Sequence, residues 1–226
     1  MELISVNTGL PRDVAWRGKS VHTAIYKQPV QGRVALSKFN LDGDRQADLS
    51  VHGGLDKAVY CYALEHYDYW KGNLRGREWP PGTFGENFTT LGLPEESVHI
   101  GDSFRIGSAE FVVTQPRLPC HKLGVKFQSE DMVKRFLASG RAGFYFAVTR
   151  EGTVGAGDKI QRVARDPHSI PIREVTRLYL VKSYGPADIE SARRALRVPA
   201  MPDSWRRYFT ERLEKAQVAA TKGSGE

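Results

Sequence analysis

Cysteine and long apolar runs are scarce in this chain of 226 residues. The two cysteines, Cys61 and Cys120, cannot build the disulfide framework that is typical of small secreted domains. The longest fully apolar run, residues 58–64, is far shorter than the roughly 18 residues needed to span a bilayer. The first residues also lack the basic and apolar regions of a secretory signal. We therefore predict a cytoplasmic protein with no membrane partner.

Several catalytic signatures are missing as well. The sequence has no Walker or Rossmann glycine spacing and no Gly-x-Ser-x-Gly. No His-Glu-x-x-His and no Cys-x-x-Cys occurs, which argues against a zinc site built only from protein ligands. A Cys–His protease pairing stays open, but His121 does not suit it, because adjacent side chains of an extended segment point apart. A histidine elsewhere in the sequence would have to pair with the cysteine.

Composition and charge indicate an ordinary globular protein. With 40% hydrophobic and 26% charged residues, the chain is able to bury a core, and its length suits one large domain or one domain with a small appendage. The net charge is +7, and residues 161–226 carry 13 lysines and arginines against eight acidic residues. This basic segment could meet nucleic acid or an acidic partner, or it could simply form a solvated helical face.

The pattern up to about residue 165 predicts a mainly β domain. Short strands divided by glycine turns are typical of a barrel or sandwich. The predicted strands are residues 2–7, 22–26, 32–39, 57–63, 103–106, 110–114, 143–149 and 159–163. Two helices interrupt them, at residues 64–71 and 129–139. Glycine–aspartate pairs at residues 43–44, 101–102 and 157–158 are predicted to form turns.

The remainder of the chain predicts a small helical domain. Apolar residues at helical spacing indicate three helices between residues 166 and 217, and the third has Trp205, Phe209 and Leu213 on one face. Residues 218–226 are predicted to be a disordered tail. The fold class is therefore mainly β, a barrel with a few helices, followed by a C-terminal three-helix domain.

The run QPRLPCHKL at residues 115–123 carries the strongest functional signal. It follows an alternating apolar segment and is stiffened by two prolines. Cys120 stands there beside Arg117, His121 and Lys122, and cations beside a thiol favour the thiolate that binds soft metals. The alternative is a small buried residue after a strand. Cys61, in a predicted core strand without such neighbours, is interpreted as structural.

Two further runs contain residues suited to ligand binding. In the first, His52 precedes Gly53 and Gly54, and paired glycines allow backbone amides to approach an anion. Arg45 and Lys57 are its basic neighbours, although a tight glycine turn would explain the pattern equally well. The second run is GTFGENFT at residues 82–89, in which Glu86 could titrate and Asn87 offers donors and an acceptor. Both are also common turn residues.

Together the three runs resemble the MOSC domain, which is named for the C-terminal part of molybdenum cofactor sulfurases. The resemblance covers about residues 1–165, through DGDRQAD leading to HGG, then GEN, then PRLPCHK. The helical remainder resembles the three-helix extension of the YiiM-type bacterial members, which are associated with resistance to N-hydroxylated base analogues such as hydroxylaminopurine. The resemblance implies a β-barrel that binds the molybdenum cofactor, a pterin with a dithiolene and a phosphate. Pyridoxal phosphate is not expected.

The resemblance also implies roles for individual residues. Cys120 would be the metal ligand and catalytic residue, because a soft thiolate suits molybdenum. The pterin and its phosphate would be held by cations, amides and polar side chains. These predicted cofactor-binding residues are Lys27, Arg45, His52, Gly53, Gly54, Asn87, Arg117 and Lys122. An anion site beside the glycine turn would share a pocket with Cys120.

The activity that this resemblance implies is reduction of N-hydroxylated compounds to amines. The chain has no flavin, haem or iron–sulfur signature, so a separate electron-donating reductase, a flavoprotein, is expected as partner. Exposed arginines of the extension (Arg193, Arg194, Arg206 and Arg207) could steer it. A cofactor or sulfur carrier without turnover is the alternative, and a nucleic-acid module is disfavoured. A homodimer is compatible with the sequence, which leaves the oligomeric state open.

Overall fold

The computed structural model describes residues 1–48 and 53–223. These residues form fourteen β-strands, six α-helices and a short 3-10 helix at Leu55–Lys57. The strands are β1 (Glu2–Thr8), β2 (Arg12–Trp16), β3 (Lys19–Thr23), β4 (Gln28–Pro29), β5 (Arg33–Leu36), β6 (Val59–Ala63), β7 (Phe88–Leu91), β8 (His99–Ile100), β9 (Ser103–Ile106), β10 (Ala109–Pro116), β11 (Phe144–Arg150), β12 (Gly152–Gly155), β13 (Ile160–Ala164) and β14 (Ile170–Pro171). The helices are α1 (Glu65–Asn73), α2 (His121–Phe127), α3 (Met132–Ser139), α4 (Ile172–Leu180), α5 (Pro186–Arg197) and α6 (Asp203–Gly223).

Eight strands form one sheet, which closes on itself. Its order is β13-β9-β10-β11-β6-β7-β1-β4, and β6 and β7 are parallel to each other. At the open side, the Leu3 amide donates to the Asp158 carbonyl at 2.9 Å, and the Ile160 amide donates to the Met1 carbonyl at 3.0 Å. These bonds join β1 to the start of β13. The predicted barrel is therefore confirmed, and closure leaves fewer unpaired strand edges.

The barrel interior is an apolar core formed by alternate residues of the strands. In β6, Val59 and Cys61 point into this core, whereas Tyr60 and Tyr62 belong to a second buried cluster outside the sheet. Side chains of successive strand residues point to opposite faces, which explains the division. Cys61 is fully buried, and burial raises the pKa of its thiol well above the usual value. It is therefore placed as a core residue, as its sequence context predicted.

The second cluster packs the first three helices against the outer face of the sheet. Aromatic rings dominate it: Trp70 of α1 lies 5.8 Å from Phe136 of α3, centroid to centroid, and both adjoin Phe84. The predicted helices at residues 64–71 and 129–139 correspond to α1 and α3. Helix α2 was not predicted, since the segment after Cys120 was interpreted only as the exit of a strand.

The C-terminal helices share the core of the barrel. Apolar residues of α4, α5 and α6, among them Val175, Ala192, Trp205 and Phe209, lie in the same buried cluster as the strands. The predicted three-helix arrangement is confirmed, and the rings of Trp205 and Phe209, which were predicted to share one face, are buried. Helix α6 continues to Gly223, so the prediction of a disordered tail from residue 218 is wrong for residues 218–223. None of the described helices is both long and apolar enough to cross a membrane.

Candidate functional site

The three runs singled out in the sequence converge on one cavity. It has about 670 Å³ of space, including the part open to solvent. The residues that these runs contribute to its wall are Asp44, Arg45, Gln46, Ala47, Gly53, Gly85, Asn87, Arg117, Leu118, Cys120 and Lys122. The segment after β3 adds Thr23, Ala24, Ile25 and Lys27, while Lys57, Tyr60 and Tyr145 complete it. Segments far apart in the chain thus build a single site.

The structure brings together most of the predicted site residues. Those that line the cavity are Lys27, Arg45, Gly53, Asn87, Arg117, Cys120 and Lys122. Gly54 is not part of the wall, although it continues the glycine turn, with φ angles of 99° at Gly53 and 87° at Gly54. Both angles lie in the region that glycine adopts without strain. His52 lies outside the described residues, so its predicted role stays a prediction.

Cys120 is the thiol of the site. It is half-buried, in extended conformation, and immediately precedes α2 after the short loop that leaves β10. Its backbone carbonyl accepts a hydrogen bond from the Leu123 amide at 3.0 Å, which fixes the loop onto the helix. Within residues 1–48 and 53–223, no group of three or more His, Cys, Asp or Glu side chains could hold a metal ion. Among the described residues that line the cavity, Cys120 is the one thiol.

Lys27 is already paired with a carboxylate. Its ammonium forms a short, buried ion pair with Asp44, which sequence analysis had placed in a turn and not in the site. Asp44 also accepts a hydrogen bond from the Gly9 amide at 2.9 Å. Burial lowers the pKa of Lys27, and the charge of Asp44 opposes that shift. Asp44 thus largely neutralises the positive charge of Lys27 within the cavity wall, which weakens the predicted role of Lys27 as a phosphate ligand.

Asn87 organises the wall through its amide. The side-chain oxygen accepts from the Tyr60 amide at 3.1 Å, and the nitrogen donates to Asp44 at 2.9 Å and to the Asn7 carbonyl at 3.3 Å. Its polar atoms are therefore occupied by the protein, and Asn87 acts as a positioning residue for Asp44 and β6. The adjacent Glu86 is buried and accepts hydrogen bonds from the amides of Gly82 and Phe84, so its side chain stabilises the loop that precedes it.

Arg117 retains a donor at the base of the cavity. Its guanidinium carbon lies 5.1 Å from the ring centres of both Tyr60 and Phe136, within cation–π range. Its Nη1 atom is buried and has no hydrogen-bond partner among the described residues. A buried donor without a partner costs about 1–3 kcal/mol. An anionic or polar ligand in the cavity would relieve that cost. Arg117 and Cys120 are also close enough to interact electrostatically.

The cavity wall has an excess of positive charge. Among the described residues, five basic ones line it (Lys27, Arg45, Lys57, Arg117 and Lys122), against the single acidic residue Asp44. Arg45 is exposed and Lys122 half-buried, and neither side chain forms an ion pair with another described residue. Their charges remain available to an anion. The arrangement suits a ligand that combines a phosphate with a soft metal.

Two residues at the site were not predicted from the sequence: Tyr145, which lines the cavity, and Lys126, which holds the wall segment of Ile25. Tyr145 of β11 pairs with Tyr60 of β6, and burial raises the pKa of its hydroxyl, so it stays protonated at neutral pH. Lys126 of α2 donates to the carbonyls of Ile25 at 2.9 Å and Gly82 at 2.6 Å, and burial lowers its pKa to about 8. The alternation of side chains on neighbouring strands, which places residues paired with Tyr60 on the same face of the sheet, could have indicated Tyr145. No local signal indicated Lys126.

One expectation about the basic extension needs correction. Arg206 is not a free surface arginine, since its guanidinium donates to the carbonyls of Leu196 at 2.7 Å, Val198 at 2.6 Å and Met201 at 2.9 Å. It joins the end of α5 to the start of α6. Arg193 and Arg207 are exposed, as expected.

Comparisons with known proteins agree with this architecture. The model of the MOSC domain matches residues 48–161, and that of the YiiM-like 3-alpha helix domain matches residues 170–216. The chain is 38% identical to the uncharacterized protein YflK of Bacillus subtilis over 94% of this chain and 95% of that one. It is 34% identical to the protein YiiM of Escherichia coli over 87% of each.

Two further similarities concern a fungal protein and a solved structure. A protein of Gibberella moniliformis named Reductase is 35% identical over 72% of this chain and 29% of its own length. The crystal structure of YiiM from Geobacillus stearothermophilus superposes with a TM-score of 0.78 at 34% identity, covering 94% of this chain and 98% of that one. Barrel and helical extension are thus shared by a relative of similar length.

Proposed function

The chain belongs to the MOSC domain family, and from this premise we propose that it is a molybdenum-cofactor-dependent oxidoreductase that reduces N-hydroxylated compounds to amines. The family and a related protein named Reductase suggest a role connected with the molybdenum cofactor. The observation that carries the finer proposal is the position of Cys120, a half-buried thiol in the wall of a cavity with excess positive charge.

The residues present fit a metal-bearing pterin phosphate. A cysteine thiolate is a soft ligand of the kind that binds metals already surrounded by sulfur. The charges of Arg45 and Lys122 have no carboxylate partner among the described residues. The buried Nη1 donor of Arg117 has no hydrogen-bond partner among them. Charge-assisted hydrogen bonds to phosphate are among the stronger interactions that such groups form. The cofactor would therefore meet one soft ligand and several phosphate-binding cations in one cavity.

Each wall residue has its own task in this proposal. Cys120 would hold the metal through Sγ, and Arg45, Lys122 and Arg117 would bind the phosphate and polar edge of the pterin. Asn87 and Asp44 would keep the wall in place through their hydrogen bonds. When bound, the cofactor supplies the two-electron redox chemistry. Reduction of R–NHOH consumes two electrons and two protons, breaks the N–O bond, and releases R–NH2 and water.

The direct test is elemental analysis combined with a cysteine pair. Protein expressed in a host that makes the cofactor should contain molybdenum and reduce an aromatic hydroxylamine in the presence of a chemical reductant. Cys120→Ser should abolish the reduction while the far-ultraviolet circular dichroism stays that of the wild type, because a hydroxyl is a harder and less acidic ligand. Cys61→Ser is the control. It should retain activity despite a less stable core. Equal activity losses in the two folded variants would remove Cys120 from its proposed role.

A carrier of cofactor or sulfur is the second candidate, and the half-exposed Cys120 thiol is compatible with it. The two candidates differ in turnover. Reduced, cofactor-loaded protein mixed with excess substrate should form about one amine per molybdenum in a single turnover if the protein is a reductase. A carrier would leave the substrate unchanged, and its cofactor would instead transfer to an acceptor protein.

A separate reductase must supply the electrons, and we propose an acidic flavoprotein. Arg193 and Arg207 are exposed on the extension and could raise the rate of encounter with such a partner. The double variant with Arg193→Glu and Arg207→Glu should slow turnover driven by the partner and flatten its salt dependence. Turnover driven by dithionite should be unchanged. A variant that slows both assays equally would contradict docking at this surface.

A further inference from the structure

A buried carboxylate outside the cavity wall is connected to Arg117. Glu95, in the turn between β7 and β8, is 2% exposed and does not line the candidate site. One carboxylate oxygen accepts a hydrogen bond from the Gly143 amide at 2.6 Å, and the other lies 2.6 Å from Nε2 of His66 on α1. Both oxygens of Glu95 are therefore held by the protein itself.

Gly143 connects Glu95 to the backbone of Arg117. The Gly143 carbonyl accepts a hydrogen bond from the Arg117 amide at 3.1 Å, so one residue separates the carboxylate from that amide. Gly143 has a φ of 69°, and a Cβ at this position would lie 2.3 Å from the Cys61 carbonyl oxygen. Only glycine permits such a close approach. Residue 143 is thus fixed by its neighbours on both sides.

The aromatic ring that packs on the Arg117 guanidinium is anchored at the same place. The Tyr60 hydroxyl donates to the Ala142 carbonyl at 3.0 Å, and the Tyr60 ring centre lies 5.1 Å from the guanidinium carbon. The backbone of Arg117 and the ring on its side chain therefore both depend on residues 142–143. Arg117 is 6% exposed, and its Nη1 donor has no hydrogen-bond partner among the described residues, so a small displacement would change where this donor points.

We propose that Glu95 is a positioning residue for the anion-binding donor of Arg117, and that His66 holds Glu95 in place. This inference rests on the proposed function, in which Arg117 binds the phosphate and polar edge of the cofactor. Because Glu95 is buried, water has little access to replace its bond to the Gly143 amide, and the amide keeps one position. Glu95 touches no ligand and acts through residues 142–143.

The first test measures the position of Arg117 without any ligand. In isotope-labelled, cofactor-free protein, the magnetic resonance signal of the Arg117 Nε–H group is assigned by its loss in Arg117→Met. Glu95→Met removes the acceptor and should shift this signal. Glu95→Gln keeps an oxygen for the Gly143 amide and should leave the signal close to its wild-type position.

A core variant controls for a general loss of stability. Ile106 is a buried residue of β9, which pairs with the start of β10 and not with the end that leads to Arg117. Ile106→Ala should therefore leave the Arg117 signal unchanged. If Glu95→Met does not fold, Glu95→Asp takes its place, because the shorter side chain withdraws the carboxylate from the Gly143 amide and should shift the signal as well.

The second test measures the binding of inorganic phosphate to the cofactor-free protein by calorimetric titration. Glu95→Met should raise the Kd by about tenfold or more, and Glu95→Asp by about threefold or more, through the misplaced donor. Glu95→Gln and Ile106→Ala should stay within about threefold of the wild type. Combining Glu95→Met with Arg117→Met should weaken binding no further than Arg117→Met does, because Glu95 acts through Arg117.

The two measurements separate this inference from the proposed function. An Arg117 signal that stays in place when the Glu95 acceptor is removed or withdrawn would overturn the positioning role, even if phosphate binds the wild type. Additive losses of phosphate affinity in the double variant, or an equal signal shift in Ile106→Ala, would overturn it too. If the signal shifts as expected but the wild type binds no phosphate, Glu95 positions Arg117 and the proposed phosphate site is wrong.

Discussion

The buried ion pair between Lys27 and Asp44 allows a quantitative prediction. Their side chains are 9% and 1% exposed, so neither charge has much access to water. Asp44→Asn keeps the size of the side chain but removes its charge, and the Lys27 ammonium is left buried without a counter-charge. Breaking such a pair from one side typically costs about 3–5 kcal/mol. We expect a loss of that size in the free energy of unfolding.

The measurement is urea unfolding followed by tryptophan fluorescence and extrapolated to water. Asp68→Asn is the matched control, because Asp68 pairs with Lys71 at 3.0 Å while the side chains are 83% and 52% exposed. It should cost below about 1 kcal/mol. Combining Asp44→Asn with Lys27→Met should recover part of the loss, since no lone charge remains.

The result bears on the cofactor site as well as on stability. If Asp44→Asn and Asp68→Asn destabilise the protein equally, Asp44 does not neutralise the Lys27 charge, and Lys27 would remain available to an anion in the cavity. If the large loss and the partial recovery are both seen, Asp44 neutralises Lys27, and under the proposed function phosphate binding would fall to Arg45, Lys122 and Arg117.

Two further predictions concern single basic residues. Because burial lowers the pKa of Lys126 from 10.5 to about 8, the unfolded chain binds more protons than the folded one between these values, and stability contributed by this residue rises with pH across that window. Unfolding measured from pH 7.5 to 10.5 should show this rise in the wild type relative to Lys126→Met, and parallel curves would contradict it. Arg206→Ala should lower the free energy of unfolding by about 2–3 kcal/mol through lost bonds to four carbonyls, whereas the exposed control Arg207→Ala should change it by under about 0.5 kcal/mol. Similar losses in both variants would show that the carbonyl contacts of Arg206 contribute little.

Local patterns predicted much of the barrel. Strand β9 has the predicted bounds, β6 begins two residues later than predicted, and β11 is shifted by one residue at both ends, because alternation and flanking glycines are local signals. Helix α2 was missed for an equally local reason. Its apolar residues Leu123, Val125 and Phe127 alternate with period two, as in a strand, and the helix is only seven residues long. Packing against the aromatic cluster decides the conformation there.

Only those features of the site that depend on sequence motifs could be predicted. Cys120 and its cations came from one run of sequence, but the neutralisation of Lys27 depends on Asp44, which is 17 residues away. A second cavity, between the barrel and the extension, depends on still more distant partners, because Tyr145 and Trp205 both line it and meet only after the extension has packed on the barrel. Charge pairing and cavity formation are tertiary properties, so spacing within the chain does not reveal them.

The helical extension is joined by hydrogen bonds to the barrel strand that leads to Cys120. Trp205 of α6 donates to Gln115, which stands at the end of β10 just before the loop that carries Cys120. The amide nitrogen of Gln115 in turn donates at 3.3 Å to the carbonyl of Asp56, the neighbour of Lys57 in both cavity walls. Removing the extension would leave the Gln115 oxygen without this partner and expose the apolar cluster beneath Phe209. These hydrogen bonds link α6 to the end of β10 and to Asp56, so a change that displaces α6 is expected to disturb the end of the strand that precedes Cys120.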